Sequence, residues 1–243
     1  MTRLALVHGF TQTARSWDPV APLLAGMPAT EVLAVDLPGH GAAGASRPAG
    51  LAEAAALLGD AAGTAVYVGY SMGARVCLRL ALDRPELVEA LVLVGATPGL
   101  GDKDERAARR AADEALAARL EQMQLDDFLD EWLAGPLFAR LTPEQAGREA
   151  RRANTAAGLG FALRRLGTGA EPAMWHRLHE LAMPVLLVAG GEDEKFRRLA
   201  GEMAAAIGHN AEVEVIEGAG HAAPFESPGR FADLIETWRA RRC

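Results

Sequence analysis

The chain has 243 residues, half of them hydrophobic, which suits one α/β domain with a large core and an insertion. Its 25 Lys and Arg against 32 Asp and Glu give a formal charge of -7, so composition gives no reason to expect nucleic acid or an anionic membrane as partner. No run is apolar enough to span a bilayer, the first residues lack a signal-peptide pattern, and Cys77 and Cys243 form neither a disulfide framework nor a metal-ligand pattern.

Six short apolar runs predict β-strands, and helical patterns lie between most of them. The predicted strands are residues 4–7, 31–37, 65–70, 90–95, 185–190 and 213–216. The predicted helices cover about 16–26, 50–62, 72–83, 194–207 and 228–241. Near-continuous apolar strands that alternate with helices indicate a mostly parallel sheet of about six strands with helices on both faces.

The interval between the fourth and fifth predicted strands departs from this alternation. Every segment from about 97 to 183 has a helical pattern, including Lys103–Met123 and Leu125–Leu133. Thr142 begins a capping box with a proline at the first helical position. We therefore predict a core formed by residues 1–96 and 184–243, with a helical lid, residues 97–183, inserted into it.

Residues 69–73, Gly-Tyr-Ser-Met-Gly, form a G-x-S-x-G pattern between a predicted strand and a predicted helix. In a nucleophile elbow, Ser71 lies on a sharp, strained turn at the amino end of the helix, where an oxyanion can be stabilised. Side chains at Gly69 or Gly73 would collide with the neighbouring strand or helix. The same pattern also fits a glycine-rich corner with an incidental serine. Residues elsewhere in the chain distinguish this interpretation from a nucleophile elbow.

The residues that a catalytic serine requires follow later strands. Asp193 comes after the fifth predicted strand and His221 after the sixth, in the Ser, Asp, His order of α/β-hydrolases. Each residue alone has a simpler interpretation, as a turn aspartate or a surface histidine. Because the carboxyl ends of parallel strands meet at one edge of a sheet, we predict that Ser71, Asp193 and His221 form a triad. The backbone N–H groups of Phe10 and Met72 are the predicted oxyanion hole.

Cofactor motifs are weak in this chain. Residues 39–44 match the dinucleotide pattern G-x-G-x-x-G after a strand, but residues 46–50 have a loop composition where the pattern requires a helix. No H-E-x-x-H metal motif is present. We therefore expect no cofactor and no metal. The histidines expected to be structural are His8, His40, His176, His179 and His209.

Arginines on predicted helices point to an anionic ligand. Arg75 lies one helical turn after Ser71 on nearly the same face, and its planar guanidinium suits bidentate carboxylate recognition. Arg106 and Arg109 share a helix face, with Arg110 beside them, and such a cluster facing a cleft would attract an anion. For Arg106 and Arg110, a solvated face paired with nearby acidic residues is the favoured interpretation.

Several segments together resemble the α/β-hydrolase superfamily over nearly the whole chain. They are residues 8–10, 36–41, 69–73, 191–193 and 220–221. Within that superfamily, the elbow with its following arginine and the predicted lid are similar to the 2-succinyl-6-hydroxy-2,4-cyclohexadiene-1-carboxylate synthases of menaquinone biosynthesis. The segments that carry this similarity are residues 69–75, 98–100, 105–113, 128–132, 136–138, 152–154 and 193–196.

The chain departs from this family in two ways. Residue 74 is alanine where the family usually has glycine. The family also commonly has one or two antiparallel strands before the first strand predicted here, so we expect a shorter sheet with the site unaffected.

The resemblance implies a lyase whose triad serine is a general base, which abstracts a ring proton and eliminates pyruvate from an enolpyruvyl polycarboxylate. It implies substrate contacts from Tyr70, Arg75, Arg109, Trp132 and Arg152. From the residues alone, core packing explains Trp132 equally well.

Two other functions fit parts of the sequence. A serine hydrolase of an ester, thioester or carbon–carbon bond would use the same triad through an acyl-enzyme, but a neutral ester would leave the lid arginines without partners. A non-catalytic receptor would not need a complete triad. We expect a cytoplasmic enzyme with a small anionic polycarboxylate substrate, no nucleic-acid partner and no membrane insertion, and the sequence leaves its oligomeric state open.

Overall fold

The computed structural model describes residues 1–241, so Cys243 lies outside the described residues. Within this part of the chain, six strands form one sheet in the order β2-β1-β3-β4-β5-β6, and every neighbouring pair is parallel. The predicted parallel sheet is therefore confirmed. The strands are β1 Thr2–Val7, β2 Thr30–Val35, β3 Ala65–Tyr70, β4 Val88–Val94, β5 Val185–Gly190 and β6 Ala211–Ile216.

Helices cover both faces of this sheet and fill the interval between β4 and β5. They are α1 Ala21–Ala25, α2 Leu51–Ala62, α3 Met72–Asp83, α4 Lys103–Leu120, α5 Leu125–Leu133, α6 Pro143–Ala146, α7 Arg148–Arg151, α8 Ala156–Leu166, α9 Glu194–Ile207, α10 Ala223–Glu226 and α11 Pro228–Ala240. Short 3-10 segments add Ala14–Trp17, Gly41–Ala43, Pro85–Leu87, Pro136–Phe138 and Trp175–Glu180. Among residues 1–241, no helix has both the length and the hydropathy needed to cross a membrane.

The structure corrects the helix predicted over about 16–26. A single 3-10 turn, Ala14–Trp17, is followed by the short helix α1, Ala21–Ala25. Pro19 lies between them and Pro22 lies in the first turn of α1. Proline has no backbone N–H to donate and is tolerated only in the first turn of a helix, so one continuous helix cannot pass through both positions.

The core consists of two apolar layers, one on each face of the sheet. In β3, Tyr67 belongs to one layer, whereas Val66 and Val68 belong to the other. Successive side chains of a strand point to opposite faces, and both faces are covered, so the strand is apolar throughout. Trp17 and Trp238 are completely or almost completely buried in the second layer.

The interval between β4 and β5 forms a helical insertion. Its helices run from α4 to α8, and α4 packs against α8. A small separate core of Leu120, Phe128, Leu129 and Leu159 holds α4, α5 and α8 together. Side chains from this insertion reach the carboxyl end of the sheet, where Ser71 directly follows β3.

Candidate active site

Ser71 occupies the corner between β3 and α3 in a strained backbone conformation. Its φ of 53° and ψ of -108° are unusual for a residue with a side chain, and such conformations cost about 1–3 kcal/mol. The Ser71 N–H donates to the carbonyl of Val94 on β4 at 2.8 Å, which holds the corner in place. A Cβ at Gly69 would lie 2.5 Å from the Ala74 Cα, and one at Gly73 would lie 2.3 Å from the Val7 carbonyl oxygen. Both glycines are therefore required by close approach, as the sequence predicts.

Ser71, His221 and Asp193 form a continuous hydrogen-bonded chain. The His221 Nε2 lies 3.2 Å from the Ser71 Oγ, and its Nδ1 lies 2.8 Å from the Asp193 Oδ2. Because a carboxylate only accepts hydrogen bonds, the Nδ1–H of His221 donates to Asp193 and Nε2 is left to accept the serine proton. The side chains of His221 and Asp193 are 4% and 9% exposed, so water competes little for this arrangement. These distances suit proton transfer from Ser71 to His221.

The β1 loop, residues 8–13, carries the Phe10 N–H, one of the two donors of the predicted oxyanion hole, and lines the same cavity as Ser71. His8 is fully buried; its Nδ1–H donates to the Gly9 carbonyl at 2.8 Å, and its Nε2 accepts from the Leu37 N–H at 3.0 Å. Burial lowers the pKa of His8 to about 4, so the ring is neutral and can accept at Nε2. The Gly9 carbonyl shares its peptide plane with the Phe10 N–H, so His8 also orients that donor. Within residues 1–241, the N–H groups of Phe10 and Met72 have no hydrogen-bond acceptor.

A cavity of about 180 Å³ lies over Ser71. Eight of the ten site residues predicted from the sequence line this cavity. They are Phe10, Tyr70, Ser71, Met72, Arg75, Arg109, Trp132 and His221. Asp193 lies behind His221, and Arg152 is not at the cavity.

Arg75 and Arg109 bring two positive charges to this cavity. Arg75 is 5% exposed; its Nη2 donates to the Leu166 carbonyl, and its buried Nε has no partner within the described chain. Burial, with the nearby charge of Arg109, lowers the pKa of Arg75 to about 10, which leaves it charged at neutral pH. Arg109 donates from Nε to the Oδ1 of buried Asp113 at 2.8 Å. Both guanidinium groups therefore retain donors for a ligand.

Aromatic rings form much of the remaining wall. The Tyr70 ring lies 5.5 Å from the His221 ring, between centroids, and burial raises the pKa of Tyr70. Trp132 stacks on Phe128 at 6.1 Å and meets Phe10 edge-on at 5.1 Å, while its buried Nε1–H has no partner among residues 1–241. Trp132 thus packs in the insertion and faces the cavity, so packing and ligand contact are compatible at this position.

The structure does not bring Arg152 to the cavity. Its guanidinium pairs with Asp126 and Glu149, and its side chain is 44% exposed. The preceding residue, Arg151, is 2% exposed and donates to the Thr11 hydroxyl, with no carboxylate partner in the described chain. Neighbouring residues of a helix point in directions about 100° apart, and the sequence does not reveal how a four-residue helix is rotated.

Sequence reasoning also missed two cavity residues that follow Asp193. Phe196 packs its ring 4.4 Å from the His221 ring, between centroids, and its N–H donates to the Asp193 Oδ1 at 3.3 Å. Lys195 lines the cavity beside it. Their position in the first turn of α9, directly after the predicted triad aspartate, was the available signal. The described residues contain no group of three or more His, Cys, Asp or Glu side chains able to hold a metal.

The chain is similar to known proteins over nearly its whole length. Residues 4–234 match the model of the alpha/beta hydrolase family. A putative 2-succinyl-6-hydroxy-2,4-cyclohexadiene-1-carboxylate synthase of Bacillus subtilis is 32% identical, covering 94% of this chain and 87% of that protein. The synthase of that name from Salmonella schwarzengrund is 34% identical, covering 96% of this chain and 91% of that protein. The solved structure of MenH from S. aureus aligns with a TM-score of 0.91 at 29% identity, over 99% of this chain and 94% of that one.

Proposed function

The chain belongs to the 2-succinyl-6-hydroxy-2,4-cyclohexadiene-1-carboxylate synthase family of α/β-hydrolases, and we propose that it is a carbon–oxygen lyase of menaquinone biosynthesis. Its substrate is 2-succinyl-5-enolpyruvyl-6-hydroxy-3-cyclohexene-1-carboxylate, from which it eliminates pyruvate. The observation that carries this proposal is a hydrogen-bonded Ser, His and Asp at a cavity that also holds two arginines, Arg75 and Arg109.

The product is 2-succinyl-6-hydroxy-2,4-cyclohexadiene-1-carboxylate, and the positions of the double bonds in substrate and product define the reaction. The substrate has one ring double bond, beginning at carbon 3, and the product has two, beginning at carbons 2 and 4. Loss of the proton on carbon 2, next to the succinyl ketone, forms the first new double bond, and the original one moves to carbons 4 and 5. The bond between carbon 5 and the enolpyruvyl oxygen breaks, and the released enolpyruvate takes up a proton to become pyruvate. Atoms and electrons balance without water or a redox partner.

In this proposal, Ser71 accepts the ring proton. Its hydroxyl can pass its own proton to the Nε2 of His221 as the Oγ takes up the proton from carbon 2. Asp193 orients His221 and stabilises the imidazolium that forms. The role requires a neutral His221 at the start, so turnover should fall in acid.

The same step places negative charge on the succinyl ketone oxygen. Oriented N–H groups without acceptors are suited to that charge, and Phe10 and Met72 supply two of them beside Ser71. Arg75 and Arg109 suit the carboxylates and the departing enolpyruvate, because a guanidinium presents a planar fork of fixed charge. Tyr70 and Trp132 complete the substrate contacts on the cavity wall.

We assign the insertion, residues 97–183, as a lid over this site. Arg109 and Trp132 reach the cavity from it, so movement of the insertion would open and close the site. A biosynthetic role on a small anionic substrate suits a cytoplasmic location, which we include in the proposal.

The test is incubation with the enolpyruvyl substrate, following pyruvate and the conjugated diene together. We expect the two products in equal amounts, with no solvent oxygen in the diene when the reaction runs in oxygen-18 water. Ser71→Ala should lower kcat by several orders of magnitude with the fold intact, whereas Ser46→Ala, outside the cavity, should leave it unchanged. An acyl adduct trapped on Ser71, or solvent oxygen in a new carboxylate, would instead establish a hydrolase.

A further inference from the structure

The cavity over Ser71 is too small to hold the whole proposed substrate. Its volume is about 180 Å³, whereas pockets for ligands of this size span about 300–1,000 Å³. A second chamber of about 510 Å³ adjoins it. The two share five lining residues, which form the border between them: Thr97, Arg109, Thr168, Lys195 and Phe196. We call the cavity over Ser71 the inner cavity and the second chamber the outer chamber. The outer chamber offers the additional volume that the substrate needs.

The shared wall carries an unpaired positive charge. Within residues 1–241, the Lys195 ammonium has no carboxylate within ion-pair distance, although two glutamates flank the residue closely in sequence. Its Nζ lies 5.4 Å from the centroid of the Phe196 ring, the ring that also packs on His221. The other basic residues of the outer chamber have acidic neighbours: Arg109 is bound to Asp113, and Arg198 lies near Glu202.

Lys195 also occupies an unfavourable place in its helix. It is the second residue of α9, and the amino end of a helix carries partial positive charge that disfavours a cation. Lysine is otherwise rare here, since Lys103 is the other one in the whole chain. Lys103 lies in the first turn of α4 in the same way, so what distinguishes Lys195 is its place at the border of the two chambers. The Asp193 carboxylate already caps this helix end, so the positive charge available to an anion at the border is the Lys195 ammonium.

We propose that the outer chamber binds the terminal carboxylate of the substrate's succinyl arm and that Lys195 is its counter-ion. This inference rests on the proposed function, which places carbon 2 of the ring at Ser71. The succinyl arm begins at carbon 2 and is the longest flexible substituent. It extends to a carboxylate two methylene groups beyond the ketone. The carboxylates held closer to the ring match Arg75 and Arg109 in the inner cavity.

A binding experiment tests this assignment without requiring turnover. The probe is 4-oxo-4-phenylbutanoate, which carries the same ketone, two methylene groups and carboxylate on a ring; the matched probe is its carboxamide. Calorimetry on the full-length protein compares wild type, Lys195→Gln and Lys195→Arg. Lys103→Gln is the control, since it removes the same charge from the first turn of α4 outside both chambers.

We expect Lys195→Gln to weaken binding of the carboxylate probe roughly two- to fivefold and to leave the carboxamide unaffected, since a solvent-exposed charged contact contributes in this range. Lys195→Arg should retain most of the affinity, and Lys103→Gln should match wild type. With the native substrate, Lys195→Gln should raise KM by a similar factor with kcat nearly unchanged.

Two results would overturn the assignment. Equal binding of the carboxylate probe by Lys195→Gln and wild type is the first. Equal losses for the carboxylate and the carboxamide form the second, because Lys195 would then act on something other than the terminal carboxylate. Failure of the proposed function is distinguishable from both: wild type would produce no pyruvate, whatever the probes show.

Discussion

The close approach of Gly73 to the end of β1 allows a sharp test of how the backbone positions the site. In Gly73→Ala, the new Cβ would lie 2.3 Å from the Val7 carbonyl oxygen and 2.5 Å from that of His8. Ordinary contact begins at 3.4 Å, so these atoms must retreat by about 1 Å. Both belong to backbone that leads directly into the β1 loop and Phe10, so the loop should move with them.

The size of the effect follows from that displacement. Inserting a methyl group into a close-packed region costs about 1–3 kcal/mol of the free energy of unfolding. A misplacement of about 1 Å at catalytic groups lowers the rate by about a hundredfold. We therefore expect Gly73→Ala to remain folded at 25 °C and to lose about two orders of magnitude in kcat.

Urea unfolding and steady-state kinetics measure the two effects separately. Gly201→Ala is the matched control, because Gly201 lies in the middle of α9 and a Cβ there would meet no atom within 4 Å. This control should gain up to about 1 kcal/mol, since alanine favours the helix, and should keep its turnover. A folded Gly73→Ala protein with wild-type kcat would refute the argument that this backbone contact positions the β1 loop.

Three further outcomes are expected. Burial lowers the pKa of His8 to about 4 and that of His40 to about 3, so below pH 6.5 the unfolded chain binds protons that the native chain does not. The free energy of unfolding should thus fall by roughly 4 kcal/mol from pH 7 to pH 5, and this decrease should be about half as large in His40→Gln. Urea titrations that show the same decrease in His40→Gln and wild type would contradict the assignment to these two histidines. Arg151→Gln should lower kcat because it frees the β1 loop from the insertion, and Arg152→Gln should not; the reverse result would support a substrate contact at residue 152. Asp113→Asn should release Arg109 from its ion pair, so KM should rise about tenfold and kcat should change less. An unchanged KM would rule out a positioning role for Asp113.

Much of this protein can be predicted from local sequence patterns. Apolar runs separated by helical periods were enough to predict the parallel sheet, and the structure confirms it. The glycines around Ser71 predicted a tight corner because only residues without a Cβ permit such close approach. The positions of Asp193 and His221 after later strands predicted their convergence, because parallel strands end at a common edge. The catalytic roles of these residues remain predictions.

Tertiary packing decided the features that local pattern leaves free. Arg151 and Arg152 are chemically identical neighbours, and only the docking of α7 against the β1 loop determines which one is buried. The exposed arginine then pairs with Asp126, 26 residues away, a contact that no local period specifies. In the sequence, Lys195 is indistinguishable from any exposed lysine, and only the tertiary structure shows that its side chain lines both the inner cavity and the outer chamber. The sequence determines which chemical groups are present and the period at which they recur, whereas the rotation of each helix and the space between elements depend on contacts between distant segments.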